Sequence, residues 1–466
     1  MDRFWAAPAI PNAKTSKKHL KIRQVNKIAE VNIIGGGLAG CEAAWQLLQR
    51  GHTVHLFEMK PQKFSPAHKM ASLAELVCSN SLKSNNLDSA PGLLKQELRR
   101  LNSLILSVAD QTAVAAGSAL AVDRIEFSRK VEAELLRQKN FTLSRMEITE
   151  IPSDALTIIA TGPLTSDALA QVIHARLDGS YLYFYDAIAP IVEADSINMD
   201  KVYWASRYDK GTPDYLNCPL SEKEYRRFRQ ELLVGEKVAA KPFEEVKHFE
   251  GCLPIEIMAE RGEDTLVFGP MKPVGLINPH TGAMPYAVVQ LRRENTSGSL
   301  FNLVGFQTKL TWPEQKRIFR LIPGLENAQF ARMGSIHRNT YINSPSLLQP
   351  SLQMKTDPNI FFAGQITGVE GYMESTAMGL WAGLNAPSIL EGKQLQPPPA
   401  TTAVGALLHY ITSPGSAKNF QPMNINFGIL EHLPVKRMKK KEKHILYVKR
   451  ALQDLSIWMQ SQDLSA

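Results

Sequence analysis

Residues Val31 to Lys60 read VNIIGGGLAGCEAAWQLLQRGHTVHLFEMK, a stretch that few folds accept. Val31 to Ile34 is an apolar run of the length of a buried parallel strand. Gly35, Gly37 and Gly40 follow at G-x-G-x-x-G spacing. The first glycine permits a tight turn, the second lets a pyrophosphate approach the backbone, and the third lets a helix pack on the strand. That helix is predicted from Leu38 to Arg50, with its N-terminus toward the phosphates and Gly51 ending it. Thr53 to Phe57 is the second strand, and Glu58 at its end lies 18 residues after Gly40, where an acid can accept bonds from ribose hydroxyls. Gly35, Gly36, Gly37, Leu38, Ala39, Gly40 and Glu58 are therefore expected to hold a dinucleotide; the bland alternative is an ordinary glycine turn.

Two later stretches extend the cradle. Leu156 to Ala160 reads as a strand running into Thr161-Gly162-Pro163, either a cofactor-facing turn or a plain one. Asn359 to Ala363 is a strand feeding Gly364, Gln365 and, beyond them, Gly371 and Tyr372, followed by an Ala- and Gly-rich helix from Met373 to Leu384. Small residues permit close packing, and a helix N-terminus stabilises negative charge on a reduced flavin. Together these favour FAD over a bare nicotinamide nucleotide. The expected fold class is α/β, a Rossmann-like FAD-binding domain interrupted by an inserted α/β domain. Its expected parts are a basic arm at 1–29, FAD-binding segments at 30–166 and 331–466, and an insertion at 167–330 facing substrate or RNA.

Charge narrows the partners. The net charge of +8 is concentrated: residues 1–29 carry seven Lys or Arg against one acid, and residues 436–450 carry eight against one, leaving −5 for the remainder. Basic ends suit a polyanion such as RNA, although a solvated tail or a targeting-like extension also fits the first. Lys436, Arg437, Lys439, Lys440, Lys441 and Lys443 are the expected nucleic-acid contacts, on a helix beginning near Pro434. No membrane span is expected, because the best stretch, Leu101 to Val122, is broken by Asn102, Asp110 and Gln111. Cys41, Cys78, Cys218 and Cys252 have no C-x-x-C spacing and no secretory signal before them, which predicts neither disulfides nor a metal site, and a cytoplasmic protein.

Two cysteines lie in unusual company. Cys78, in CSNSLK, stands among small polar residues with Lys83 nearby, so a reactive thiol is as plausible as a structural one. Cys252 lies between Gly251 and Leu253-Pro254, at a turn from which a thiol could reach substrate. Cys41 and Cys218 read as packing. Arg292 and Arg293 suit a phosphate or a pterin-linked carboxylate, or a surface ion-pair strip. His337, Arg338 and Tyr341, in GSIHRNTYINSP, are expected to face a ligand. Leucines from Pro91 to Val108 predict one continuous core helix.

The chain resembles the TrmFO family of folate- and FAD-dependent tRNA (uracil-5-)-methyltransferases over about residues 30–455, on stretches such as GGGLAGCEAAWQL, LVCSNSLKSN, FEGCLPIE, YAVVQLRREN, HRNTYINSP and FFAGQITGVEGYMES. It departs in its N-terminal arm and in Ser-Thr within GYMESTAMG, where the family leads one to expect Ser-Ala. The resemblance implies methylation of a T-loop uridine at tRNA position 54, methylenetetrahydrofolate as carbon donor, FAD as reductant and NADPH or NADH to reload it. It implies Cys252 as nucleophile, Cys78 as base or guard, and His337 stacking the pterin. A paralogue acting on ribosomal RNA, a non-catalytic flavin- and RNA-binding protein, and a small-metabolite oxidoreductase are the rival readings.

Overall fold

A computed structural model describes residues 29–152, 155–177, 181–209, 211–238, 253–390, 395–434 and 438–464; side chains at 181–187, 336–338, 390 and 419 lie outside that description. Its organising layer is an all-parallel sheet in the order Ile360–Phe362, Leu156–Ile159, Glu30–Ile34, Thr53–Glu58 and Phe141–Arg145. The first and last of these strands in sequence, Glu30–Ile34 and Ile360–Phe362, thus share one sheet although 325 residues separate them, as the glycine turns that follow each predict. Val31, Ile33, Ile158 and Phe361 are wholly buried because both faces are covered. The Leu38–Leu48 helix packs over the sheet against the Tyr372–Leu390 helix. Their close approach depends on Gly379 and Gly383, whose added Cβ atoms would lie 2.2 Å from the Ala39 carbonyl oxygen and 2.7 Å from that of Ala43.

A second, antiparallel sheet runs in the order Tyr203–Ala205, Tyr215–Leu220, Ala287–Arg293, Leu300–Leu303, Ile191–Glu193 and Phe330–Arg332. It has its own apolar core, from Val192 to Ala328, in which Cys218 is buried on a strand. The Asp167–Arg176 helix belongs elsewhere, since its Leu169 and Ile173 join the first core. The two sheets are linked by a ribbon, Tyr181–Ile188 paired antiparallel with Ser335–Ile342.

Three expected elements differ. The predicted Pro91–Val108 helix is two helices, Ala90–Arg100 and Leu104–Gln111. Asn102 adopts φ +56°, which no helix continues through, and Ser103 caps the second helix by accepting from the Leu106 N–H. The basic C-terminal helix begins at Lys440 rather than near Pro434 and runs to Ser461. The flavin-facing helix is longer than expected, Tyr372–Leu390. No helix among the described residues is long and apolar enough to cross a membrane.

Candidate active site

The glycine turn is built for a phosphate-bearing cofactor. Gly35 has φ +106° and its N–H donates to the Phe57 carbonyl at 2.8 Å, tying the two strand ends together. Gly40 is required for packing, because a Cβ there would lie 1.9 Å from the Gly35 carbonyl oxygen. Gly37 precedes the first helical residue, has no side chain to cap the helix, and would meet nothing within 4 Å. The helix N-terminus is therefore open, with donors available to an anion.

Glu58 is buried; its two carboxylate oxygens accept from the Gly36 and Lys60 N–H groups, each at 2.9 Å. Each oxygen keeps a further lone pair for a ribose hydroxyl. A narrow cavity of about 80 Å³ is lined by Gly35, Gly36, Gly37, Glu58 and Thr161. Leu38 and Ala39 are buried in the first turn of the helix, behind the cradle. Gly162 has φ +67°, and nothing lies within 4 Å of where its Cβ would be. Gly364 has φ +81° and abuts Ala39, so the late strand closes on the early turn. Gln365 donates to the Glu370 carboxylate at 2.7 Å, bracing the loop that leads to Gly371 and Tyr372. These residues fit FAD: a glycine turn, an open helix start and the Thr161 turn meet at one cavity, with the buried Glu58 carboxylate on its wall.

Beside the cradle lies a larger cavity of about 250 Å³, lined among others by Cys78, Lys83, Gln307, Asn339, Tyr372 and Glu374. Cys78 is half-buried, whereas burial pushes the thiols of Cys41 and Cys218 well up and leaves them inert. The Cys78 sulfur is 2.9 Å from the Tyr372 hydroxyl. Lys83 reaches the Glu374 carboxylate at 3.3 Å from a backbone with φ +65°.

The loop carrying Cys78 is held from the second sheet. Asn80, fully buried, donates to the Val122 and Arg293 carbonyls at 3.0 Å each and accepts from Arg292 at 3.1 Å. Arg292 also donates to the Ser79 hydroxyl at 2.9 Å. Neither expected role, an anion site or a surface ion-pair strip, describes this contact: the guanidinium is buried and holds the cysteine loop. Arg293 lies over the Trp204 ring at 4.9 Å.

Tyr341 also differs from expectation. It is 3% exposed, packs on Phe420 and donates to the Phe420 carbonyl at 3.3 Å, so its phenol anchors a loop instead of facing ligand. Burial pushes that phenol up to about 12. His337 and Arg338 lie on the Ser335–Ile342 strand, with side chains outside the described residues, as are Cys252, Lys436 and Arg437 in full. The described chain resumes at Leu253, and the Ile255 N–H donates at 2.7 Å to the carbonyl of Gln307, a wall residue of the Cys78 cavity. Lys439 and Lys440 are exposed at the start of the C-terminal helix, which further along buries Tyr447, Ala451, Leu455 and Trp458. Sequence reasoning missed Gln307 and Asn339 as wall residues; both lie in polar stretches, GFQT and HRNTY, which were the available signal.

The sequence model of the family described as "Glucose inhibited division protein A" matches residues 30–394. A protein of Syntrophus aciditrophicus named methylenetetrahydrofolate–tRNA-(uracil-5-)-methyltransferase TrmFO is 60% identical over 435 residues, 93% of this chain and 98% of that protein. The chain belongs to the TrmFO family. A Geobacter sulfurreducens protein of the same name is 58% identical over 430 residues, covering 92% of this chain and 98% of its own length. Among solved structures, Aquifex aeolicus GidA aligns with a TM-score of 0.66 at 16% identity, covering 94% of this chain and 75% of that one. That likeness is one of fold alone, an α/β architecture.

Proposed function

We infer that this protein is a methyltransferase that places a methyl group on uracil C5 in tRNA, with methylenetetrahydrofolate as carbon donor and FAD as redox cofactor. The observation that carries this reading is the agreement with TrmFO proteins over nearly the whole chain, at 60% identity in one case. The geometry supports it independently, since a thiol cavity opens beside a flavin cradle.

Uracil C5 is a weak nucleophile until a thiolate adds to C6. We assign that addition to Cys252: its sulfur bonds C6, and the C5=C6 electron pair moves toward C5 and O4. C5 then attacks the folate-borne carbon. Bound FAD, once reduced, supplies the two electrons that take that carbon from the formaldehyde to the methyl level. Cys78 receives the C5 proton as the C–H electron pair expels the tetrahydrofolate nitrogen and leaves an exocyclic methylene on C5; once that carbon has gained the two electrons and a proton, C5=C6 is restored as the Cys252 thiolate leaves.

The proposed target is the T-loop uridine at position 54, turned out of its stack into the cavity. His337 and Arg338 are assigned to folate and RNA. Lys436, Arg437, Lys439 and Lys440 are assigned to the tRNA backbone, a reading supported by the exposure of Lys439 and Lys440. NADPH or NADH is the proposed source of electrons for FAD, and the cytoplasm the proposed location. The test is transfer of labelled carbon from methylenetetrahydrofolate to unmodified tRNA with NADPH, beside a parallel reaction with ribosomal RNA fragments. Label in 5-methyluridine of the T-loop is the expected result. Label confined to ribosomal RNA overturns the target, and label in neither overturns the activity.

A further inference from the structure

The surroundings of Cys78 specify its protonation state. The Tyr372 oxygen receives two backbone donors, the Cys78 N–H at 2.9 Å and the Ser79 N–H at 3.3 Å. A phenol oxygen has two acceptor sites and one proton. With both acceptor sites taken, its O–H can only point at the Cys78 sulfur, 2.9 Å away. The sulfur is thus the acceptor, and a thiolate is a far stronger acceptor than a thiol. Burial, with the facing Cys78 adding to it, pushes the Tyr372 phenol well above its ordinary value, so that proton stays on oxygen and remains available to donate.

Two guanidinium groups converge on the same loop. Arg124 donates to the Val77 carbonyl at 3.4 Å, and Arg332 donates to that same oxygen from the second sheet. Arg124 is paired with buried Glu294 at 2.8 Å, and although burial opposes its charge, Glu294 outweighs that and keeps it protonated. Arg332 sits beside it; burial first, and repulsion from Arg124 second, push it down to about 10, still well above neutrality. Two cations thus face one carboxylate. Both lie within electrostatic reach of Cys78 and Tyr372. Of the remaining charged groups around the loop, Lys83 is paired with Glu374, Glu370 on the cavity wall accepts from Gln365, and Arg292 bonds the loop itself at Asn80 and Ser79.

We propose that Arg332, with Arg124 and the Tyr372 hydroxyl, holds Cys78 as a thiolate, the surplus positive charge of the arginine pair being balanced by the sulfur. Arg332 is then a positioning residue that acts through Cys78. The proposal deepens the role given to Cys78 above, since a sulfur that is to take the C5 proton must first have lost its own.

The test is the pH dependence of Cys78 alkylation by iodoacetamide in the FAD-bound protein. A Cys252→Ala background removes the other thiol assigned to the site, and Cys41 and Cys218 are buried. Modification is followed by mass spectrometry of the Cys78 peptide. The parent should react with a midpoint well below the ~8.5 of an ordinary cysteine. Arg332→Gln should move the midpoint up by about one pH unit, a roughly tenfold slower reaction below both midpoints. Arg332→Lys keeps the charge and should restore most of the rate, and Tyr372→Phe should raise the midpoint as well. Flavin absorbance confirms that each variant is folded and loaded. A parent midpoint at or above ~8.5, or one unmoved by Arg332→Gln, overturns the proposal. Cys78→Ala assayed separately for methyl transfer distinguishes the two failures: retained turnover removes the base role, while the alkylation result stands on its own.

Discussion

Replacing Gly379 by Ala tests whether the early and late halves of the cradle act as one rigid unit. The added Cβ would lie 2.2 Å from the Ala39 carbonyl oxygen and 2.6 Å from its Cα. Both obstacles are backbone, so no side chain can rotate away. Bringing the oxygen contact to an ordinary 3.4 Å requires the Tyr372–Leu390 and Leu38–Leu48 helices to part by about 1.2 Å. Overpacking of this kind costs about 1–3 kcal/mol. For a chain of this size that corresponds to a melting temperature lowered by roughly 1–3 °C. The same shift moves Ala39 away from Gly364 and carries Tyr372 off the Cys78 loop, so flavin retention should fall together with stability. Differential scanning fluorimetry and the ratio of flavin to protein absorbance read both effects. Gly415→Ala, where an added Cβ meets nothing within 4 Å, is the control. If Gly379→Ala melts with the parent and keeps its full flavin, the close helix crossing is not what holds the cradle together.

Glu58→Ala removes the acceptor of the Gly36 and Lys60 N–H groups as well as the carboxylate offered to ribose, and should weaken FAD binding at least ~10-fold by fluorescence titration, as loss of charge-assisted bonds requires. Lys95 is fully buried, donates to the Ser84 and Pro91 carbonyls at 2.7 and 3.2 Å, and is pushed by burial down to about 7. Its unfolded form holds the proton to about 10.4, so the unfolded chain binds more protons between those values and stability rises with pH. Lys95→Met should abolish a rise of about 2–3 kcal/mol between pH ~8 and ~10, read as urea midpoints; an unchanged slope would remove Lys95 as its source. Cys252→Ala should keep FAD absorbance yet lose methyl transfer, and retained turnover would refute the nucleophile assignment.

Much of this site is local and so was open to reading from sequence. The glycine turns depend on residues a few positions apart, and the polar setting of Cys78 marked it as unlike buried Cys41 and Cys218. What escaped depends on residues far apart in the chain. Arg124 and Arg332 meet on the Val77 carbonyl from two sheets, and no spacing in the sequence announces that meeting. Arg292 looked like a ligand cation because its partner, Asn80, is 212 residues away. Tyr341 shared a polar segment with His337, but the strand carries it beneath Phe420, where a phenol is buried and bonded. Asn102 broke a helix that leucine spacing alone made continuous, because periodicity does not register a single residue at positive φ.

The central claim is that the Cys78 cavity is where hydrogen leaves uracil C5. Release of tritium from tRNA labelled at uracil C5, followed beside methyl transfer in the FAD-loaded protein, tests it most directly. The account predicts release equal to methyl formed, and loss of both in Cys78→Ala with FAD still bound. Tritium released at the parental rate by Cys78→Ala would contradict it and move the proton transfer to another group.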